Sequence, residues 1–286
     1  MTKPFISIKK KRKNKSMKHQ IKTKNIQEFK NKPLPIVEIF GNTLQGEGPR
    51  LKPAIFLRTG LCNFVCAGFQ CERTAPNGEI TIGCDTQQSV HAKLYKDTWD
   101  YYENFNDVVQ RIKPLIHPNP DIKQDLIFSG GEPLLHWNNK TYQELLEYYI
   151  TRNHHITIES NGSKMIDFTK EYQRNIQFSL SVKLSNSLEP KKKRINIPAL
   201  ANIFDNCPDS YLKFVVSPET WEESKKEIFE ILTALPHHVE VYLMGMGETR
   251  QKQVEVTRFV FEKCAELGFN YSPRMHIIAF DDLDGV

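Results

Sequence analysis

Four of the six cysteines, Cys62, Cys66, Cys71 and Cys84, fall within 23 residues, while Cys207 and Cys264 stand alone. Three or four thiolates this close in sequence can hold an iron–sulfur cluster or a zinc ion. Three residues separate Cys62 from Cys66, four more lead to Cys71, and twelve lie between Cys71 and Cys84. Zinc sites favour paired knuckles, and no second tight pair follows Cys84, which puts iron–sulfur ahead of zinc. No apolar stretch follows the charged N-terminus, so no export signal is expected, and bunched cysteines in a reducing cytoplasm argue for ligation rather than disulfides. Cys264, on the apolar side of a helical pattern, reads as a core residue, and Cys207 as a loop thiol without a partner.

Three further groups could do chemistry, each just after a β-rich run. Asp125-Leu126-Ile127-Phe128 leads into Ser129-Gly130-Gly131-Glu132-Pro133, where paired glycines and an acid let backbone groups and a carboxylate approach a ligand. Ile156-Thr157-Ile158 leads into Glu159-Ser160-Asn161-Gly162, and Phe178-Ser179-Leu180 into Ser181-Val182-Lys183. A lone Gly-Gly-Glu is usually a turn. Following Cys-x3-Cys by some sixty residues, it carries more weight.

The elements that must hold these groups alternate. β-rich runs fall at 36–40, 54–57, 126–128, 156–158, 176–182, 211–216 and 239–243, with a last one near 276–280. Between them lie helical patterns. One starts at Ser217-Pro218-Glu219, with proline at the first helical position. Another carries Val256, Phe259, Val260, Cys264 and Leu267 on one side and stops at Gly268. About six strand–helix repeats predict an α/β fold with a parallel sheet, a full or partial barrel, whose chemistry gathers at the C-terminal strand ends. Residues 67–104 lack periodicity and are expected to form a long, functional loop.

Composition bounds the class. The chain has 286 residues, 39% hydrophobic and 26% charged, which suits a globular protein. No run approaches the ~18 apolar residues of a membrane-spanning helix. Residues 1–33 carry 12 Lys/Arg against the single acid Glu28. So basic a block cannot bury enough apolar surface to order itself, and it predicts a flexible arm, either a solubilising tail, an over-long start before Met17, or a nucleic-acid tether.

The ordered set resembles the radical S-adenosylmethionine superfamily and, within it, the 7-carboxy-7-deazaguanine synthases, over roughly 35–286. The resemblance rests on Glu38-Ile39-Phe40, Thr43-Leu44-Gln45-Gly46-Glu47-Gly48-Pro49, Phe56-Leu57-Arg58, Cys84-Asp85-Thr86, Ser129-Gly130-Gly131-Glu132-Pro133, Glu159-Ser160-Asn161-Gly162 and Lys213-Phe214-Val215-Val216. It implies a partial (β/α)6 barrel over 34–286, with a 67–83 insertion in the cluster loop.

It also implies roles. Cys62, Cys66 and Cys84 would hold a 4Fe–4S cluster whose fourth iron binds S-adenosylmethionine. Cys84 is preferred because the family's third cysteine is followed by Asp-Thr, leaving Cys71 a spare thiol or a competing ligand. Gly83, Asp85, Gly130, Gly131, Glu132, Ser160, Ser181 and Lys183 would bind the cofactor. The aromatic residue that usually precedes the third cysteine is missing, and Ser-Val-Lys replaces Ser-Pro-Lys. Leu44, Gln45, Gly46, Glu47, Arg58 and Ser129 would hold 6-carboxy-5,6,7,8-tetrahydropterin, Arg58 through its carboxylate. Thr86 would bind Mg²⁺. The segment 243–246 would lie near the cofactor, and Arg274 and His276 would close over the substrate. The expected reaction is a radical ring contraction with loss of ammonia to 7-carboxy-7-deazaguanine, in a cytoplasmic homodimer fed by a flavodoxin- or ferredoxin-type donor.

Two other readings compete. A glycyl-radical-enzyme activase shares the cysteine loop and the Gly-Gly-Glu-Pro strand end but lacks the Gln-Gly-Glu-Gly segment. A zinc-holding nucleic-acid-binding module would use the basic arm as tether and would be colourless.

Overall fold

A computed structural model describes residues 30–281, 283 and 285. Most of the expected basic arm lies outside the described residues. Its last part is tied down: the Lys30 carbonyl accepts from Lys140 N–H at 3.2 Å, and the Lys32 carbonyl from the Asn139 side chain at 2.7 Å.

The strands are β1 Leu34–Leu44, β2 Pro53–Thr59, β3 Cys71–Thr74, β4 Ile80–Gly83, β5 Asp100–Tyr102, β6 Asp125–Gly130, β7 Ile156–Ser160, β8 Ile176–Leu180, β9 Tyr211–Val216, β10 Glu240–Gly245 and β11 Asn270–Ser272. Nine of them form one sheet in the order β11-β10-β9-β8-β7-β6-β2-β1-β5. From β2 to β11 every neighbour is parallel, while β1 runs antiparallel to both β2 and β5. The fold is mixed α/β with a mostly parallel sheet. Both faces of its middle are covered, which is why β6 and β9 read as near-continuous apolar runs rather than alternating ones. Phe128, Phe178 and Phe214 pack there with Trp137 and Tyr142, all essentially inaccessible.

Helices cover the sheet where periodicity predicts them. Helix Trp221–Ala234 buries Trp221, Ile228 and Ile231, and helix Arg250–Leu267 buries Val256, Val260 and Cys264. The latter ends on Gly268 at φ 69°, the left-handed cap that glycine adopts without steric cost. Two expectations fail. Residues 276–280 are not a strand but part of helix Met275–Phe280, which buries only Ile277; a single buried position suits one helix turn laid on a surface. The closing strand is instead the short β11. Nor is 67–104 structureless. It holds the hairpin β3–β4, short helices and β5. The hairpin turn surrounds Asn77-Gly78, with Gly78 at φ 84°. Cys207, expected to be a loop thiol without a partner, is buried and donates to the Gln173 carbonyl at 3.4 Å.

A candidate cluster and substrate cleft

The C-terminal ends of β2, β6, β7, β9 and β10, with the loops beside them, surround an open cleft. Its wall contains all four bunched cysteines, together with Leu44, Gln45, Glu47, Arg58, Asp85, Thr86, Ser129, Gly130, Gly131, Ser160, Ser181 and Lys183. The expected residues Gly46, Gly83 and Glu132 do not line it.

The insertion explains how Cys84 stays with the others. Cys71 pairs with Gly83 across the hairpin, so the chain leaves the cleft and returns to the same place. Burial pushes all four thiols up, Cys66 and Cys71 to about 12. Smaller upward pushes come from Cys84 and Cys66 on Cys62, and from Cys84 on Cys66. Yet among the described residues no three His, Cys, Asp or Glu side chains close on one ion. Cluster binding must displace the thiol protons.

The cysteine loop is strapped to the Gly-Gly-Glu turn. Gly131 N–H donates to Thr59 O at 3.1 Å and Glu132 N–H to Leu61 O at 2.8 Å. A Cβ on Gly131 would stand 2.1 Å from Leu61 O, so this glycine is dictated by backbone approach. His136 Nε2 is 2.8 Å from Gly60 O, and burial lowers this imidazole to about 4. The Glu132 carboxylate is fully buried and does not line the cleft. It accepts from Ser160 Oγ at 2.8 Å, Asn161 N–H at 2.8 Å and Leu134 N–H at 3.0 Å, and burial holds it above the usual carboxylate range. Its work here is to fix the Ser160 loop. Ser181 and Lys183 lie beside that loop: Ser181 N–H donates to Ser160 O at 2.7 Å, and Lys183 Nζ donates to Ser181 Oγ at 3.0 Å.

The other half of the cleft is a charge network joining segments far apart in sequence. Lys213, 3% exposed on β9, pairs with Glu47 and lies 3.9 Å from Glu159. Glu159 accepts from Ser129 Oγ at 2.8 Å and Gln45 Nε2 at 3.3 Å. Arg274 pairs with Glu47 at 3.2 Å and Asp85 at 2.5 Å, and donates to Gly247 O. Burial alone would raise the Glu47 carboxyl, but Lys213, Arg274 and His276 outweigh it and hold it far below the usual range. Asp85 is lowered by Arg274 against the same burial. Lys213 and Arg274 are raised by their carboxylates, although burial opposes this. Gly46 is shaped by the C-terminal segment: a Cβ there would meet the His276 ring at 2.5 Å, and Met275 N–H donates to its carbonyl. Arg58 pairs with Glu38 at 2.5 Å beside the stacked rings of Phe40 and Phe56. Met244 and Met246 line the cleft as expected.

Sequence reading did not single out Glu159 or Lys213 as site residues, nor Phe69, which lines the cleft beneath Lys183. Glu159 stood in a quoted motif at a strand end, which was signal enough. Lys213 sits inside an apolar strand, where a lone lysine needs a buried carboxylate partner. Among the described residues no helix is long and apolar enough to cross a membrane.

Residues 44–204 match the family model described as a 4Fe-4S single cluster domain. The chain is 28% identical over 269 residues to the 7-carboxy-7-deazaguanine synthase of Halobacterium salinarum, covering 87% of this chain and 91% of that one. It is 28% identical over 254 residues to the synthase of the same name from Pyrobaculum aerophilum, covering 87% and 96%. Among solved structures, QueE from Escherichia coli superposes with a TM-score of 0.59 at 21% identity over 84% of this chain and 93% of that one, a likeness of fold.

Proposed function

The chain belongs to the 4Fe-4S single cluster domain family, which it matches over more than half its length, and from that premise we propose that it is a radical S-adenosylmethionine lyase forming 7-carboxy-7-deazaguanine from 6-carboxy-5,6,7,8-tetrahydropterin. One observation carries the reading: the four bunched thiols, Ser181 and Lys183, and the Gln45–Glu47–Glu159–Lys213 network all line one cleft. The sheet is proposed to curve as the partial (β/α)6 barrel of that superfamily, and Cys62, Cys66 and Cys84 to hold the cluster.

When bound, the cluster and S-adenosylmethionine supply the one-electron bond cleavage that starts the reaction. The protein's part is placement. Ser160, Ser181 and Lys183 suit the hydroxyls and carboxylate of the cofactor, and backbone groups of Gly130 and Gly131 its methionine end. Glu132 contributes by fixing the Ser160 loop. On the substrate side, Gln45 offers both donor and acceptor to a pterin edge, and Glu159 and Glu47 accept from its N–H groups. Arg58 has guanidinium N–H groups beyond the one on Glu38 for the substrate carboxylate, and Ser129 holds Glu159 in place. Thr86 supplies an oxygen at the wall for Mg²⁺, a hard cation satisfied by few protein ligands and several waters. Buried ion pairs around the pterin keep water out, which a reactive radical requires. A soluble one-electron donor, a homodimeric state and a cytoplasmic setting complete the proposal.

The test is turnover. Anaerobically reconstituted protein with S-adenosylmethionine, Mg²⁺, reductant and the carboxylated pterin should yield 7-carboxy-7-deazaguanine. Cofactor cleavage without that product would move the chain to another radical enzyme, such as a glycyl-radical-enzyme activase.

A further inference from the structure

The cluster loop rests on the segment that follows β8. A Cβ on Gly68 would stand 2.0 Å from Asn186 O, so the loop and this segment touch backbone to backbone. Just beyond, one carboxylate oxygen of Glu189 accepts from Val65 N–H at 2.7 Å and from Cys66 N–H at 3.1 Å. Cys66 has φ 56° and ψ 46°, a left-handed conformation that a side-chain-bearing residue rarely adopts. Such a residue persists only where its surroundings enforce it.

Glu189 is equipped to do so. Its side chain is 9% exposed, and its other oxygen accepts from Lys193 Nζ at 2.9 Å. Its carbonyl accepts from Arg194 Nε at 3.0 Å, and the buried Arg194 is anchored in turn to Lys183 O at 3.0 Å and Glu227 at 2.5 Å. Two N–H groups that could otherwise point at sulfur are thus committed to a carboxylate whose charge opposes charge on the Cys66 thiolate.

We propose that Glu189 is a positioning residue of the iron–sulfur centre, holding the turn at Val65 and Cys66 in the shape that aims the thiol and placing a fixed negative charge beside it. The inference rests on the reading that Cys66 is a cluster ligand. Net charge and hydrogen bonding near the sulfurs set the potential of such centres. The carboxylate therefore makes the bound cluster harder to reduce.

The experiment uses the full chain, reconstituted anaerobically, as wild type, Glu189→Gln and Glu189→Ala. Iron per chain, the rate of iron loss to a chelator, the midpoint potential and the thermal midpoint are measured. Glutamine keeps an acceptor oxygen and the volume but not the charge, so its potential should rise while iron loss stays within about twofold of wild type; alanine should raise the potential and lose iron roughly tenfold faster. Unchanged potentials in both variants, or alanine releasing iron no faster than wild type, would overturn the proposal. So would a lowered thermal midpoint with an unaltered potential, since that marks a scaffold role alone. A wild-type chain that takes up no iron would instead remove the cluster reading beneath it; variants matching an iron-loaded wild type would sink only this inference.

Discussion

Cys84 pushes on Cys62, Cys66 and Cys71 alike, and Cys71 sits in the first pair of the hairpin, its thiol facing the Phe69 carbonyl at 3.7 Å. The proposal of Cys84 as the third ligand rests on the Asp85-Thr86 that follows it. Cys84→Ala should abolish both iron uptake and S-adenosylmethionine cleavage, and Cys71→Ala should spare both; iron counting and 5′-deoxyadenosine release read the two outcomes, and the reverse pattern would hand the ligand role to Cys71. The types of residue in this site were legible in sequence because strand ends announce themselves. The orientation of a given side chain was not. Glu132 has the same neighbours in sequence whether its carboxylate enters the cleft or turns inward, and only the donors on Ser160, Asn161 and Leu134 decide that.

At the scale of elements, the parallel strands were readable because sheets buried on both faces leave unbroken apolar runs. The hairpin β3–β4 was not, because its outer face exposes Ile80 and Ile82 and its strands are only four residues long. Its Asn77-Gly78 turn was the available cue. The last element misled for a related reason: a run of four apolar residues fits one strand or one helix turn equally well. The strap between the cysteine loop and the 3-10 turn Pro133–His136 has a pH signature. Buried His136 titrates near 4 when folded, against about 6.5 unfolded. Between these values the unfolded chain binds a proton that the folded one refuses, so stability is intact above about pH 6.5 and declines as pH falls towards 4, by roughly 3 kcal/mol. Urea denaturation across that window should show the slope, and His136→Asn should flatten it.

For the molecule as a whole, segments far apart in sequence meet at the cleft. Arg274 reaches Glu47 across 227 positions of sequence, and Lys213 reaches it across 166. No periodicity or motif in a single sequence links residues that far apart. The charges that organise the substrate half were therefore hidden, although Arg274 was expected near the substrate. Removing one member of such a buried set strands its partners. Arg274→Gln should lower stability by about 3 kcal/mol in thermal or chemical denaturation and raise the KM for the pterin, because Glu47 and Asp85 lose a shared counter-ion. A melting curve identical to wild type would mean the pairing contributes nothing to the fold.

The same interlocked charges make the cleft a poor buffer. Glu47 and Asp85 are held ionised far into acid, and Lys213 and Arg274 far into alkali. From about pH 5 to 10 these four groups exchange no protons with solvent. Any hydrogen ion gained or shed in the proposed reaction must then ride on the bound molecules, on water or on another cleft group such as His276, whose imidazole burial lowers, and the bell of a pH–rate curve would record acidities other than those of this quartet.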